Sequence, residues 1–180
     1  MSRVELLPAD GAPLGAAPYY AADGSASPVI RALAQVPELL EVTAPFVSRL
    51  FGPTSLDQRT KEMVVLRVSA RMGCRYCVDT HTVAAWDAGL SVDETSALCG
   101  DAASLDEPDR ALVRWCDAVA APGPVPDAVA AGLRHRLAEH EIVELTLLAA
   151  ATVMLNRFCT ALELPTAPQT RARLEEAGLR

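Results

Sequence analysis

Residues 62–81 of this 180-residue chain are EMVVLRVSARMGCRYCVDTH. The segment before Gly73 carries apolar residues at helical spacing, and glycine is the residue that most often ends a helix in a left-handed turn. A second helix is predicted to begin at Cys74 and to end near Gly89. The stretch therefore predicts two helices joined by a tight reversal at Gly73.

Helical patterns continue on both sides of this stretch. Ser91 with Glu94, and Ser104 with Glu107, have the spacing of capping boxes at the start of two further short helices. The proline-rich segment 121–126 is the clearest break in the chain. Two more helices are predicted after it, at about 127–139 and 141–162. Since no alternating β-pattern competes, the predicted fold is all-α, a compact multi-helix bundle.

An internal echo appears when the sequence is shifted by 82 positions (144 − 62). Asn156 then stands over Cys74, and Glu163 stands over His81. The matching residues are Glu62, Leu66, Met72, Arg75 and Cys77 over Glu144, Leu148, Met154, Arg157 and Cys159. We therefore predict an internal duplication, with a catalytic first copy at about 54–100 and a degenerate second copy at about 127–165.

Composition and charge limit the domain organisation, partners and location that the chain can have. Residues 1–27 are rich in Pro, Gly and Ala and are predicted to form an extended N-terminal arm, before a single all-helical domain at 28–180. The net charge of −7, with Lys61 as the only lysine, argues against nucleic acid as a partner. The longest apolar run, 145–155, is shorter than the roughly 20 residues that span a bilayer. Because residues 1–15 also lack a secretory pattern, we expect a cytoplasmic protein without membrane contact.

The chemistry-bearing residues are concentrated in the opening stretch. Cys74 and Cys77 form a C-x-x-C pair near a predicted helix start, where thiolates are stabilised. His81 follows Cys77 by four residues on the same helix face and can accept its proton. If Gly73 reverses the chain, Glu62 lies about level with His81 at 1.5 Å per residue, where a carboxylate raises imidazole basicity. These residues predict a proton relay that ends on sulfur.

The pattern Glu62, Cys74-x-x-Cys77-x-x-x-His81 resembles the signature of the alkylhydroperoxidase D-like proteins within the carboxymuconolactone decarboxylase superfamily. The resemblance implies a helical peroxidase that assembles as a homo-oligomer, often a trimer or hexamer. It implies that Cys77 becomes the sulfenic acid and that Cys74 is the proton donor and resolving partner. It also implies an external dithiol reductant, either a dihydrolipoyl protein or a thioredoxin-like protein. We expect no cofactor and no metal, since structural zinc sites usually draw their ligands from two separated loops.

One position departs from the family pattern. Tyr76 stands where the best-known members have a histidine that joins the relay, so the preferred reductant and the efficiency stay open. Tyr76 is interpreted as a residue that lines the entry to the site or simply packs.

Three alternatives remain for these residues. One is a lyase of the carboxymuconolactone decarboxylase type, which does not need a cysteine pair. Another is a non-catalytic oligomeric module that senses oxidants, and the last is a metal site built from Cys74, Cys77, His81 and Glu62. The other cysteines, Cys99, Cys116 and Cys159, are predicted to be small buried hydrophobic residues.

Overall fold

The computed structural model describes residues 2–179, and over that range all regular structure is helical, which confirms the predicted fold class. Two 3-10 turns, Ala9–Gly11 and Leu14–Tyr19, precede the α-helices. The α-helices are α1 (Pro28–Leu33), α2 (Pro37–Phe51), α3 (Gln58–Met72), α4 (Arg75–Asp87), α5 (Val92–Cys99), α6 (Glu107–Ala120), α7 (Asp127–Arg134), α8 (Glu139–Ala161) and α9 (Pro168–Glu176).

Helix α3 is the central element of the bundle. Every residue from Lys61 to Ser69 is buried, and the helix packs against α4, α5, α6 and α8. Asp57 caps its start by accepting a hydrogen bond from the Thr60 N–H at 2.8 Å. Gly73 ends it in the left-handed region at φ 64°, as predicted. This turn sends α4 back along α3.

Helix α8 is the longest helix and lies against the other side of α3. By length and composition alone it is able to cross a membrane, a test that buried core helices also pass. Its contacts with α3, α4, α6 and α7 make it a core element of this bundle. The buried Lys61 amine of α3 joins this helix to α8, because it pairs with Glu144 at 3.2 Å, and it also donates to the Leu50 carbonyl of α2 at 3.0 Å.

The predicted helix boundaries need two corrections. Helix α6 is capped by Asp106, which accepts from the Asp109 N–H at 2.9 Å, and the predicted capping box at Ser104 is wrong. Asp106 succeeds because Pro108 then occupies a position in the first turn, where its missing N–H costs nothing. Helix α7 ends at Arg134, before the predicted residue 139, and α8 starts at Glu139. The capping box of α5, formed by Ser91 and Glu94, is confirmed.

The segment predicted as an N-terminal arm lies against the helical body. The Arg3 N–H donates to the Leu162 carbonyl at 2.9 Å, and the Arg31 guanidinium donates to the Leu6 carbonyl at 2.8 Å. The Tyr20 hydroxyl donates to the Leu7 carbonyl at 2.9 Å. Residues 2–20 therefore cover α1 and the end of α8. The division at residue 28 stays a prediction. The internal duplication also stays a prediction, since α8 runs unbroken where α3 and α4 are separate helices.

Candidate active site

The cysteine pair lies at the start of α4. Cys74 is the residue before the first helical turn and Cys77 lies within that turn, with Cα atoms 5.3 Å apart and a disulfide between them. Both side chains are buried in the same hydrophobic cluster. The short approach follows from the local sequence, because the left-handed Gly73 places Cys74 directly ahead of the helix. The pair is therefore sited where unpaired backbone N–H groups favour a thiolate.

The relay residues meet across the α3–α4 hairpin. His81 Nδ1 and Glu62 Oε2 are 2.8 Å apart, and the Glu62 side chain is only 4% exposed. The spacing from Gly73 predicted this contact, and the structure shows it. A carboxylate bound at Nδ1 holds the imidazole in the tautomer whose Nε2 has a free lone pair. His81 is thus arranged as a base.

Two further side chains fix this pair. The Gln58 side chain donates from Nε2 to the other Glu62 oxygen, Oε1, at 2.9 Å. Phe51 of α2 stacks on the His81 ring, with centroids 5.4 Å apart. Neither residue was predicted from the sequence. The Gln58–Glu62 spacing of four was a readable signal, whereas nothing local to Phe51 points to an imidazole thirty residues later.

An apolar cavity of about 330 Å³ leads to this chemistry. Helices α1, α2, α4 and α8 form its walls, and Cys77 and His81 both line it. Its apolar lining includes Val29, Ile30, Leu33, Val47, Phe51 and Leu155. A small organic molecule with an apolar body fits such a space, and its reactive group would meet the sulfur and the imidazole.

Tyr76 also lines the cavity, between the two cysteines in sequence. Burial raises the pKa of Tyr76 to about 12, and hydrogen bonds with Thr80 and Ser27 oppose that shift. Its hydroxyl is therefore neutral at physiological pH. Its position agrees with a residue at the entry to the site, and that role stays a prediction.

The remaining cysteines differ from one another. Cys116 and Cys159 are buried as predicted, but Cys99 is exposed at the end of α5, so the prediction is wrong for Cys99. Cys159 lies beside the pair, and the sulfur atoms of Cys74, Cys77 and Cys159 are all within 4.8 Å of one another. The sequence echo that aligns Cys159 with Cys77 was the signal for this cluster, although the prediction treated Cys159 as inert.

The donors that converge are not the predicted metal-ligand set. Glu62 has one oxygen on Gln58 and the other on His81, so its carboxylate is already engaged. Over residues 2–179, the group of His, Cys, Asp and Glu side chains close enough to share an ion is the three-cysteine cluster. A metal held by Cys74, Cys77, His81 and Glu62 together is therefore not supported by this arrangement.

The family model of the carboxymuconolactone decarboxylase family matches residues 37–121. Among curated proteins, an alkyl hydroperoxide reductase of Mycobacterium tuberculosis is 30% identical over 123 residues, which are 66% of this chain and 33% of that protein. The chain thus spans about a third of the length of this curated relative.

Two solved structures share the fold over nearly their full lengths. One is an alkylhydroperoxidase D core protein from Ralstonia eutropha, an uncharacterised peroxidase-related protein, with a TM-score of 0.84, 18% identity and 94% coverage of both chains. The other is a cysteine-to-alanine variant of the debrominase Bmp8 in complex with 2,3,4-tribromopyrrole. It has a TM-score of 0.81 and 18% identity, and the match covers 98% of this chain and 99% of that chain. At these identities the likeness shows the fold.

Proposed function

Because residues 37–121 match the carboxymuconolactone decarboxylase family and the fold is that of an alkylhydroperoxidase D core protein, we propose that the chain is a thiol-dependent peroxidase. The observation that carries the proposal is a redox-capable cysteine pair, of which Cys77 lines an apolar cavity. A histidine lines the same cavity and is held by a buried carboxylate. A peroxide-related role at the family level agrees with both the relative and the structural neighbour.

The first step is oxidation of Cys77. His81 takes the proton of the Cys77 thiol through Nε2, while Glu62 stabilises the imidazolium. The thiolate attacks the terminal peroxide oxygen of the hydroperoxide, so the S–O bond forms as the O–O bond breaks. The leaving alkoxide, or hydroxide when hydrogen peroxide is the substrate, departs as the alcohol or water after taking up a proton. The product on the protein is a Cys77 sulfenic acid.

The second step closes the disulfide. Cys74 attacks the sulfenic sulfur, and water leaves. The order Cys77 then Cys74 is supported by the surroundings, because Cys77 lines the large cavity and Cys74 lines a separate cavity of about 180 Å³ with Gly73 and Arg75. Peroxide thus meets Cys77 from one side. We propose that an external dithiol, on a dihydrolipoyl or thioredoxin-like protein, reduces the pair from the other side.

The decisive experiment measures both the oxidation of the thiols and the turnover of peroxide. Reduced protein is given one equivalent of cumene hydroperoxide, and mass spectrometry locates the new disulfide. We expect it between Cys74 and Cys77, with sustained peroxide consumption when a dithiol is supplied. In Cys74→Ser a dimedone-type probe should trap a sulfenic acid on Cys77. Labelling of Cys74 in Cys77→Ser instead would reverse the order of attack.

The rival functions give different results in the same assay. A lyase of the superfamily would leave both thiols reduced and would not consume peroxide. A non-catalytic oxidant sensor would form the disulfide once and show no turnover with a dithiol. Either result would remove the peroxidase from consideration.

Thiol-dependent debromination is a second candidate, favoured by the apolar cavity and by the bromopyrrole bound to the structurally similar debrominase. The balance is an aryl bromide plus two thiols giving the arene, bromide, a proton and the Cys74–Cys77 disulfide. Release of bromide ion from 2,3,4-tribromopyrrole by the reduced protein, matched by loss of two thiols per bromide, would support it. Absence of bromide release alongside peroxide turnover would exclude it.

A further inference from the structure

Cys159 is the buried nucleophilic group that the proposed peroxidase reaction does not use. It belongs to the same hydrophobic cluster as Cys74 and Cys77, and the three sulfur atoms lie within 4.8 Å of one another. Cys159 comes from α8, whereas the other two lie at the start of α4. We propose that Cys74, Cys77 and Cys159, with the pair reduced, form a three-thiol site that binds one trivalent arsenic or antimony centre.

The geometry suits one shared centre. Three sulfurs bonded to one pyramidal atom at about 2.3 Å, the length of a zinc–thiolate bond, lie about 3.5 Å apart when the bond angles are about 100°. The three sulfur atoms lie within 4.8 Å of one another, which is close to that separation once the Cys74–Cys77 disulfide is reduced. No further His, Cys, Asp or Glu side chain among residues 2–179 joins the cluster. A pyramidal, three-coordinate centre therefore fits the donor set better than zinc, which takes four ligands.

The apolar surroundings of the three sulfurs favour a trivalent centre over a divalent one. Leu164 and Ala32 share the cluster, and Val4, Leu6, Val29 and Phe158 pack against it. Three thiolates with a divalent ion carry a net charge of −1, which is costly to place in apolar surroundings. Three thiolates with a trivalent centre are neutral. Arg75 and Glu163 line the smaller cavity, and Glu163 pairs with Arg3 at 2.7 Å, but all three side chains are exposed to solvent, which screens their charges.

Binding of the trivalent centre is a ligand exchange at the three thiols. Arsenous acid is neutral and exchanges with thiols by losing water. Three S–H bonds and three As–O bonds break, and three S–As bonds and three O–H bonds of water form. Arsenic stays trivalent, and no electrons move.

Cys159 is reachable by a small neutral molecule. It lines both the large cavity, which also contains Cys77, and the smaller one, which contains Cys74. It therefore stands between the two spaces that approach the pair. An occupied site would prevent disulfide formation, so binding of the trivalent centre and oxidation of the pair are mutually exclusive.

The test uses the full chain, reduced with a phosphine and freed of it by gel filtration without oxygen. Sodium arsenite is the probe, and both bound arsenic and free thiols are counted. We expect one arsenic per chain and a fall from five titratable thiols to two, which are those of Cys99 and Cys116. Because the binding assay contains no peroxide, its result is independent of whether the chain is a peroxidase.

The variant Cys159→Ser separates the three-thiol site from the pair alone. Its affinity for arsenite should fall by more than about 100-fold, since even partners of metal ligands typically contribute 10–100-fold. Cys99→Ser, at an exposed cysteine outside the cluster, should bind as the wild type does. A normal helical circular-dichroism spectrum and diamide-induced closure of the Cys74–Cys77 disulfide would show that the Cys159→Ser variant is folded, and Cys159→Ala provides a second variant.

Three results would overturn the proposal. The first is wild-type affinity in Cys159→Ser, which would reduce the site to an ordinary dithiol. The second is no arsenic retained by the reduced wild type. The third is tighter retention of zinc than of arsenic, which would contradict the selection by charge.

Discussion

At the scale of single residues, the site is defined by which buried polar groups have partners. Glu62 is 3% exposed as a residue, and hydrogen bonds to both of its oxygens are present. A buried carboxylate without partners would be costly, so Gln58 and His81 make its burial possible. In turn Glu62 fixes the imidazole of His81, which lines the same cavity as Cys77. The hydrogen bonds that satisfy the buried Glu62 carboxylate therefore also position the relay.

The first prediction concerns this relay. Glu62→Gln and His81→Phe should each slow peroxide consumption at neutral pH, because general-base assistance is typically worth about 10²–10⁴-fold. The double variant should be no slower than the worse single variant, since both changes interrupt the same proton transfer. Raising the pH toward the ordinary cysteine value of about 8.5 should partly rescue all three, because hydroxide then forms the thiolate. Initial rates across pH measure this.

The control for the relay prediction is Gln58→Ala. It removes one of the two hydrogen bonds to Glu62 but leaves the Glu62–His81 contact, so its effect should be smaller than that of Glu62→Gln. Wild-type rates in both relay variants would show that the cysteine pair works without a base.

The residue scale also shows where sequence reasoning succeeds and where it stops. The Glu62–His81 contact was predictable because one glycine separates two helices whose rise per residue is known. The burial of Cys159 was predicted but its neighbours were not, because they are set by the packing of α8 on α4, 82 residues from Cys77 in sequence. The exposure of Cys99 was likewise missed, since the apolar character of a cysteine does not say which face of a short helix is covered.

At the scale of elements, Gly73 forms the turn that brings the site residues of α3 and α4 together. Its φ of 64° lies in the left-handed region, and a Cβ built on it would have nothing within 4 Å. Substitution there is therefore resisted by backbone strain alone and not by a clash. A substitution at Gly73 would act directly on the site, because Cys74 follows immediately and the α3–α4 reversal depends on this turn.

The second prediction compares two glycines. Gly73→Ala should lower the free energy of unfolding by about 1–2 kcal/mol, the cost of a left-handed conformation for an L-residue. Gly132 lies within α7, also with nothing within 4 Å of an added Cβ. Gly132→Ala should raise the free energy of unfolding by about 0.5–1 kcal/mol. Urea denaturation at one protein concentration measures both, and equal signs would contradict the assignment of strain to Gly73.

The third prediction concerns the start of α5. Hydrogen bonds from the Ser91 backbone N–H and hydroxyl, with help from Arg59, lower the pKa of Glu94 to about 2. Because the folded pKa is below the ordinary value of 4.5, this stabilisation is present above pH 4.5 and is lost as the pH falls toward 2. Glu94→Gln should be less stable at pH 7 by about 0.3–1 kcal/mol.

The pH dependence is the distinguishing feature of that variant. The stability difference between wild type and Glu94→Gln should shrink as the pH is lowered from 5 to 3. Denaturation curves at several pH values measure it. A difference that stays constant over this range would mean that the charge of Glu94 does not contribute.

Helix boundaries were predicted well where the cap and the apolar pattern agree. The Ser91–Glu94 box and the Gly73 stop were both found in this way. The Ser104–Glu107 spacing has the same form but is not a cap, because Asp106 and Pro108 together offer a better start to α6. When two possible helix caps overlap in the sequence, the sequence alone does not decide between them, because the packing of the helix also determines where it begins.

At the scale of the whole molecule, two apolar stripes remain uncovered. On α8 the exposed apolar residues are Val143, Leu147 and Met154, which share one helix face with the exposed Ala150. On α2 they are Leu39, Val42 and Phe46. Spacings of three and four place each set on a single stripe. Contiguous exposed apolar surface of this kind is typical of an interface between subunits.

The fourth prediction is that the chain forms a homo-oligomer in which α8 packs against a second copy. The resemblance to alkylhydroperoxidase D-like proteins implied such an assembly, and the α8 stripe offers a self-complementary surface for it. Light scattering at micromolar concentration should give a mass that is a multiple of 19.1 kDa. Leu147→Glu, which places a charge at the centre of the stripe, should lower that mass.

The matched control is Thr160→Glu. Thr160 is exposed on the same helix but about a quarter of a turn away from the stripe, so this variant should keep the wild-type mass. The pair of variants separates a charge at an interface from a charge on α8 in general. If the wild type already has the mass of a single chain, the stripe is not a subunit interface. If Thr160→Glu dissociates the assembly and Leu147→Glu does not, the contact lies on a different face of α8.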